Sequence, residues 1–195
     1  LNQIEVFFPE YSIYSVSDYY YDETEIEKKV EPYVTEDPVF GFLSPLEIHD
    51  FIDVNKIDNR EMNNHEGLIA VGPGASLTDD FQLVVYCDIT RWEIQKRYRR
   101  NEAGNLGISN RNSPPAIKYK QAFFVDWRAG DKLKKKVFKN CGFYMDLNLS
   151  ENPKMMKCTD YSDILKKTAH RPFQLVPYFD PGPWGGQWMK EKFDL

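Results

Sequence analysis

The chain has 195 residues and a mass of 22.9 kDa, enough for one domain with a sizeable core. Its 29 aromatic residues, 15% of the chain, exclude a disordered polypeptide, and no apolar run approaches the roughly 18 residues of a membrane span. The net charge of -5 conceals an asymmetry: residues 1–90 carry 4 basic and 19 acidic groups, residues 91–140 carry 14 basic and 4 acidic, and the remainder balances. A basic block inside an acidic chain points to an anion site or to pairing with the acidic third. It is short and carries no nucleic-acid module signature, so no nucleic-acid partner is expected.

The first apolar run, Ile4–Phe8, reads as a buried strand closed by Pro9. Residues 22–34 begin acidic and gain Lys28 and Lys29, the order a helix dipole favours, with Pro32 weakening the last turn. Ser44, Pro45 and Glu47 spell a helix start, and Ile48, Phe51 and Ile52 give the helix over 45–57 one apolar face. Gly67–Val71 is a buried strand ended by Gly72-Pro73-Gly74. Phe81–Cys87 is a second one, and Thr90 caps a helix over Arg91–Arg100. Residues 101–114 are a loop. Ile117–Phe138 is helical with a break expected at Gly130, 142–147 a strand, 160–170 a helix, 173–179 a strand, and 180–195 an extended tail. Strands alternating with helices predict an α/β fold with a mostly parallel sheet flanked by helices. Cys87, Cys141 and Cys158 are odd in number and far apart, which predicts neither a disulfide framework nor a zinc pair and fits a cytoplasmic protein. No basic stretch leading into an apolar one marks a signal peptide. Leu1 rather than Met opens the chain, so its ends need not be domain ends.

In open α/β sheets ligands bind beyond the carboxyl ends of strands. Two such ends stand out. At Gly72, Gly74 and Ser76 a glycine turn could offer backbone N–H groups to an anion, although such a turn is also ordinary. At Asp88 a strand leads into a helix bearing Arg91, Lys96, Arg97, Arg99 and Arg100, a candidate phosphate clamp whose alternative is a basic outer face. Helical spacing puts Arg97 and Arg100 on one face, so these two are the pair expected to converge on an anion. Asp126, Arg128 and Asp131 are candidates for acid–base chemistry or for surface pairing. His49, His65 and His170 have no ligand spacing, so no metal is expected in this chain. No GxxxxGK[ST] phosphate loop occurs.

The stretches TEDPVFGFLSPLEIHDFID, GLIAVGPGASL, VVYCDITRWEIQKRYRR, KYKQAFFVDWRAGDKLKK and RPFQLVPYFDPGPWGGQWMKE together resemble the bacterial multidomain class I mannose-6-phosphate isomerase-like family. The resemblance implies a nucleoside-kinase-like domain over residues 1–179 without a Walker A motif, followed at 180–195 by a segment like the entry strand of a cupin isomerase domain. It implies a phosphorylated small molecule as partner, with Arg91, Arg97, Arg99 and Arg100 as its phosphate contacts and the parent's cupin domain as a neighbour. For the intact family it implies zinc-dependent aldose–ketose isomerisation of a hexose 6-phosphate. The Gln, His and Glu metal ligands of that class have no counterpart here, so this chain is not expected to isomerise a sugar alone. The alternatives are a non-catalytic module docking an acidic partner through the basic segment 91–140, and a small-molecule kinase, which the missing Walker lysine disfavours.

Overall fold

A computed structural model describes residues 2–58 and 67–172. The chain divides into two compact units, Leu1–Thr159 and Asp160–Leu195. The first contains two small sheets. Strand β1 (Tyr11–Ser15) pairs in parallel with β2 (Gly67–Val71), Tyr11 opposite Gly67 and Ser15 opposite Val71. Strand β3 (Val85–Asp88) pairs in parallel with β4 (Phe143–Asp146), which pairs antiparallel with β5 (Lys154–Lys157). The architecture is mixed α/β, with parallel pairing in both sheets. The single mostly parallel sheet expected from the sequence is replaced by these two sheets.

Helices supply most of the core. Helix α1 (Asn2–Phe7) covers the run expected to be a buried strand, and its Val6 and Phe7 are exposed. The place beside β2 is taken instead by β1, whose alternating Tyr and Ser escaped a reading built on apolar runs. Helix α2 (Glu23–Val34) forms where its charge order predicts, and tolerates Pro32 near its end. Residues 45–57 do not make one helix. Asp50 folds back to accept the Glu47 N–H at 2.8 Å, which closes a 3-10 turn over Ile48–Phe51, and Asp53 then accepts the Asn55 N–H at 3.0 Å to start α3 (Val54–Asp58). Aspartates compete with helix propagation in this way because their side chains reach nearby backbone donors. The apolar face survives the split: Ile48, Phe51 and Ile52 are buried together with Val16, Tyr20, Ile26, Val30, Val125 and Ala129.

Helix α4 (Arg91–Arg99) starts at the expected cap, with Thr90 Oγ1 accepting the Glu93 N–H at 3.3 Å. Helix α5 (Pro115–Gln121) continues through a π-helical turn at Ala122–Asp126 into α6 (Trp127–Val137). Gly130 lies inside α6 and does not break it. Helix α7 (Cys158–Ala169) follows β5. The strand expected at 173–179 and the tail at 180–195 lie outside the described residues.

One cysteine expectation is corrected. Cys141 and Cys158 form a disulfide with their Cα atoms 6.0 Å apart, inside the range a disulfide requires. The pair is brought together by the β4–β5 hairpin, which the sequence reading missed because β5 is a Lys- and Met-bearing edge strand. Cys87 is a free thiol.

The glycine turn after β2 has a packing role. Gly74 sits at φ +96°, and a Cβ there would lie 2.7 Å from Ile52 Cδ1 and 2.9 Å from Ile48 Cγ2. Gly74→Ala is expected to cost about 1–3 kcal/mol in urea unfolding, from left-handed strain and overpacking together. Gly130→Ala, with nothing within 4 Å of the added carbon, is the control and is expected to stabilise by about 0.5–1 kcal/mol. Equal effects at the two positions would refute this account.

Candidate functional site

The arginines of α4 are largely committed within the fold. Arg97 and Arg100 do converge on an anion, as their spacing predicts, but the anion is Glu93 of the same helix. Arg97 Nε lies 3.2 Å and Arg100 Nη2 3.1 Å from Glu93 Oε1. Arg97 also donates to the Leu147 carbonyl at 2.8 Å, and Arg100 holds Glu102 at 2.6 Å. Glu93 stands four residues before Arg97 and seven before Arg100, a signal present in the sequence. Arg100 first, then Arg97, hold the Glu93 carboxyl below the usual carboxylate range, and Arg100 does the same for Glu102. Arg91 pairs with Asp131, which also lies 3.7 Å from Arg128. Only Arg99 of the four candidates makes no ion pair among the described residues, and its guanidinium lies 5.7 Å from the Trp92 ring centroid.

The other expected residues are dispersed. Gly72, Gly74 and Ser76 follow β2 in the two-stranded sheet, whereas Asp88 ends β3 in the three-stranded one, so the two strand ends do not form one site at one sheet edge. Tyr20 donates to the Pro73 carbonyl at 2.8 Å, tying that turn to the core. Asp88 accepts from Lys134 and, at 3.3 Å, from the Tyr144 hydroxyl. Lys136 pairs with Glu47, and Lys132 donates to the Pro45 and Leu46 carbonyls. Much of the basic block is thus spent on the chain's own oxygens.

What the structure adds is a groove of about 730 Å³ between α4 and α5, walled on a third side by Pro38, Val39 and Phe40. Helix α4 contributes Gln95, Tyr98 and Arg99, and the α5 side contributes Pro115, Ala116, Tyr119, Lys120, Phe123 and Phe124. The π turn shapes this wall. It widens the helix so that the Trp127 N–H reaches back to the Ala122 carbonyl, five residues away. Within it Phe123 and Phe124 line the groove, Val125 enters the main core, and Ala122 packs with Tyr98 and Trp127. Lys120 donates to the Thr35 and Asp37 carbonyls and so holds the 38–40 wall. Asp37 completes that wall by accepting the Val39 and Phe40 N–H groups, each at 2.7 Å; with Phe40 first, these bonds lower its pKa.

Behind the groove is a polar cluster that the sequence reading did not anticipate. Lys118 is fully buried and donates to the Tyr98 carbonyl at 2.8 Å, to Asn101 Oδ1 at 3.2 Å and to the Arg111 carbonyl. Asn105 donates to both the Lys118 carbonyl, at 2.9 Å, and Asp126 Oδ2, at 2.6 Å. Asp126 Oδ1 and Gln121 Nε2 are sealed from solvent without a hydrogen-bond partner. Burial raises the Asp126 pKa against the opposing bonds from Asn105 and the Leu106 N–H and the weaker pull of the Gln121 amide, whose geometry falls short of a regular hydrogen bond. Asp126 therefore buttresses the groove rather than lining it.

Among the described residues no three His, Cys, Asp or Glu side chains are grouped to hold a metal. The zinc implied by the isomerase resemblance has no fitting ligand set there, and no chemistry is derived through it. No described helix is long and apolar enough to cross a membrane.

Because burial raises the Asp126 pKa, the native state holds that proton more tightly than the unfolded chain, whose value is near 3.8. Its contribution to stability is full below that value and is lost as pH rises through the raised native pKa. Asp126→Asn cannot ionise. Its stability relative to the parent is therefore expected to rise by about 1.4 kcal/mol for each pH unit inside that window and then level off. Paired urea titrations between pH 4 and 8 measure this; a difference that stays flat or falls with pH would count against it.

No curated protein and no solved structure matches this chain. A family model described as a domain of unknown function (DUF8485) matches residues 1–170. The chain is a member of the DUF8485 family.

Proposed function

We propose that this chain is a binding module for a phosphorylated small molecule, and that its ligand occupies the groove between α4 and α5. The observation that carries the reading is an aromatic groove of about 730 Å³ with one guanidinium, Arg99, that is paired to no carboxylate among the described residues. Small-molecule sites have this character: concave, mostly apolar, with few polar groups that fix orientation. Tyr119 and Phe123 are 39% and 37% exposed, so their rings are available to a flat ligand, and Arg99 and Gln95 can meet its anionic end. Of the two ligand classes expected from the sequence, this favours a nucleotide. The hydroxyls of a hexose phosphate demand more hydrogen-bond partners than the groove offers.

The isomerase-like parentage, the neighbouring cupin domain and the nucleoside-kinase-like topology belong to the same proposal. Parallel pairing of β3 with β4, and a helix leading directly from β3, support the topology. The implied isomerisation is assigned to no residue of this chain. A cytoplasmic location is retained, with the disulfide then a matter of redox state.

A second reading is favoured by a different observation. Val39, Phe40, Phe42 and Leu43 are all at least 60% exposed beside the groove, and exposed apolar surface of this kind also marks protein docking. On that reading the acidic partner meets Arg99 and the apolar rim rather than the whole basic block.

Calorimetric titration of the chain with ATP, mannose 6-phosphate and fructose 6-phosphate separates these readings. ATP is expected to bind most tightly. Arg99→Ala should weaken it roughly 10- to 100-fold, the worth of one charge-assisted contact, while Arg97→Ala should act mainly on stability. If none of the three binds at millimolar concentration, the small-molecule reading fails and the docking reading replaces it.

A further inference from the structure

We propose that the Cys141–Cys158 disulfide is a redox-responsive tie that governs how firmly α4, and with it one wall of the groove, is held. The bond closes the open end of the β4–β5 hairpin: Cys141 stands two residues before β4 and Cys158 directly after β5. The hairpin in turn holds α4. The Leu147 carbonyl accepts Arg97 Nη2 at 2.8 Å. Asn148 Oδ1 accepts the Thr90 N–H at 2.9 Å and the Thr90 hydroxyl at 2.8 Å, so it fixes the residue that caps the helix. Strand β4 also carries β3, the strand that leads into α4.

Two features suit the bond to reversible reduction. Backbone contacts hold its ends without it, since the Cys158 N–H donates to the Gly142 carbonyl at 3.0 Å and the Gly142 N–H to the Val84 carbonyl at 2.9 Å. The fold is therefore expected to persist when the bond opens. Second, Cys158 is the first residue of the 12-residue helix α7, an end whose dipole favours negative charge, while the burial of Cys158 opposes it. Asp160 in the first turn also opposes negative charge there and the adjacent Lys157 favours it. The reductant is a thiol of the glutathione or protein-dithiol class. Its thiolate attacks the Sγ of Cys141, the less buried of the two residues, and Cys158 leaves as thiolate. A second reductant thiol then resolves the mixed disulfide, so that two protein thiols form while the reductant is oxidised to its own disulfide. In a cytoplasmic protein a disulfide of this kind is ordinarily a redox-sensing one.

The test uses the full chain in native buffer at stepped ratios of reduced to oxidised glutathione, with thiol alkylation read by mass spectrometry and amide exchange read over α4. At oxidising ratios Cys87 alone should label. At strongly reducing ratios all three cysteines should label without denaturant, α4 amides should exchange roughly tenfold or more faster, and the melting midpoint should fall by about 5–10 °C. The C141S/C158S double variant should reproduce the reduced state under both conditions. A bond that opens only in denaturant, three labelled thiols at every ratio, or a double variant whose α4 exchanges like the oxidised chain would each overturn the proposal. Any effect on ligand affinity rests on the groove reading, but labelling and exchange do not. A chain that responds to glutathione yet binds none of the titrated ligands keeps this proposal and loses the other.

Discussion

The junction of α4 with the α5–α6 helix depends on a small polar knot centred on Asn105. Its amide joins the Lys118 carbonyl to the Asp126 carboxylate, and Lys118 meanwhile donates to the Tyr98 and Arg111 carbonyls and to Asn101 Oδ1. An ammonium near the end of α4 answers the partial negative charge of that terminus, and its burial is tolerated because it donates three hydrogen bonds. Removing one member leaves another buried and unpaired, which is why such clusters fix a single arrangement of the elements they join. Here the arrangement they fix is the angle of the groove.

The π turn and the knot act together. Asp126 is the last residue of the turn, and its carboxylate is held by the loop that bears Asn105 and Leu106. The turn can then place Phe123 and Phe124 on the groove and Val125 in the core within three successive residues. The cost is visible in the buried Asp126 Oδ1 and Gln121 Nε2, neither of which makes a hydrogen bond of good geometry.

The distribution of charge has a similar logic. The basic block reaches back into the acidic part of the chain through Lys136 to Glu47, Lys134 to Asp88 and Lys132 to the Pro45 and Leu46 carbonyls. These contacts tie α6 to the 45–51 segment and to β3. Two of these contacts, Lys134 with Asp88 and Lys136 with Glu47, are ion pairs that offset charge, whereas the Lys132 contacts are with neutral carbonyls. At the groove Arg99 stands beside aromatic rings, and Lys120 is bonded to the Thr35 and Asp37 carbonyls.

Local chemistry determined much of this protein. Thr90 capping α4, the strand Gly67–Val71, half-buried rather than buried, the charge order of α2 and the apolar triplet Ile48, Phe51 and Ile52 all follow from residues within a few positions of one another, and the structure keeps them. The helical spacing that set Arg97 and Arg100 on one face was legible too; what they face was also in reach, because Glu93 lies on the same helix. Tertiary structure decided the rest. That Tyr11–Ser15 and not Ile4–Phe8 is the strand depends on a partner 56 residues on from Tyr11, which apolar content alone does not reveal. The disulfide needed the β4–β5 hairpin to bring together cysteines 17 positions apart. The groove needed two helices and a loop to converge, and the burial of Lys118 and Asp126 needed Asn105 between them. None of these has a local signature, because each is fixed by the shape left when distant segments pack.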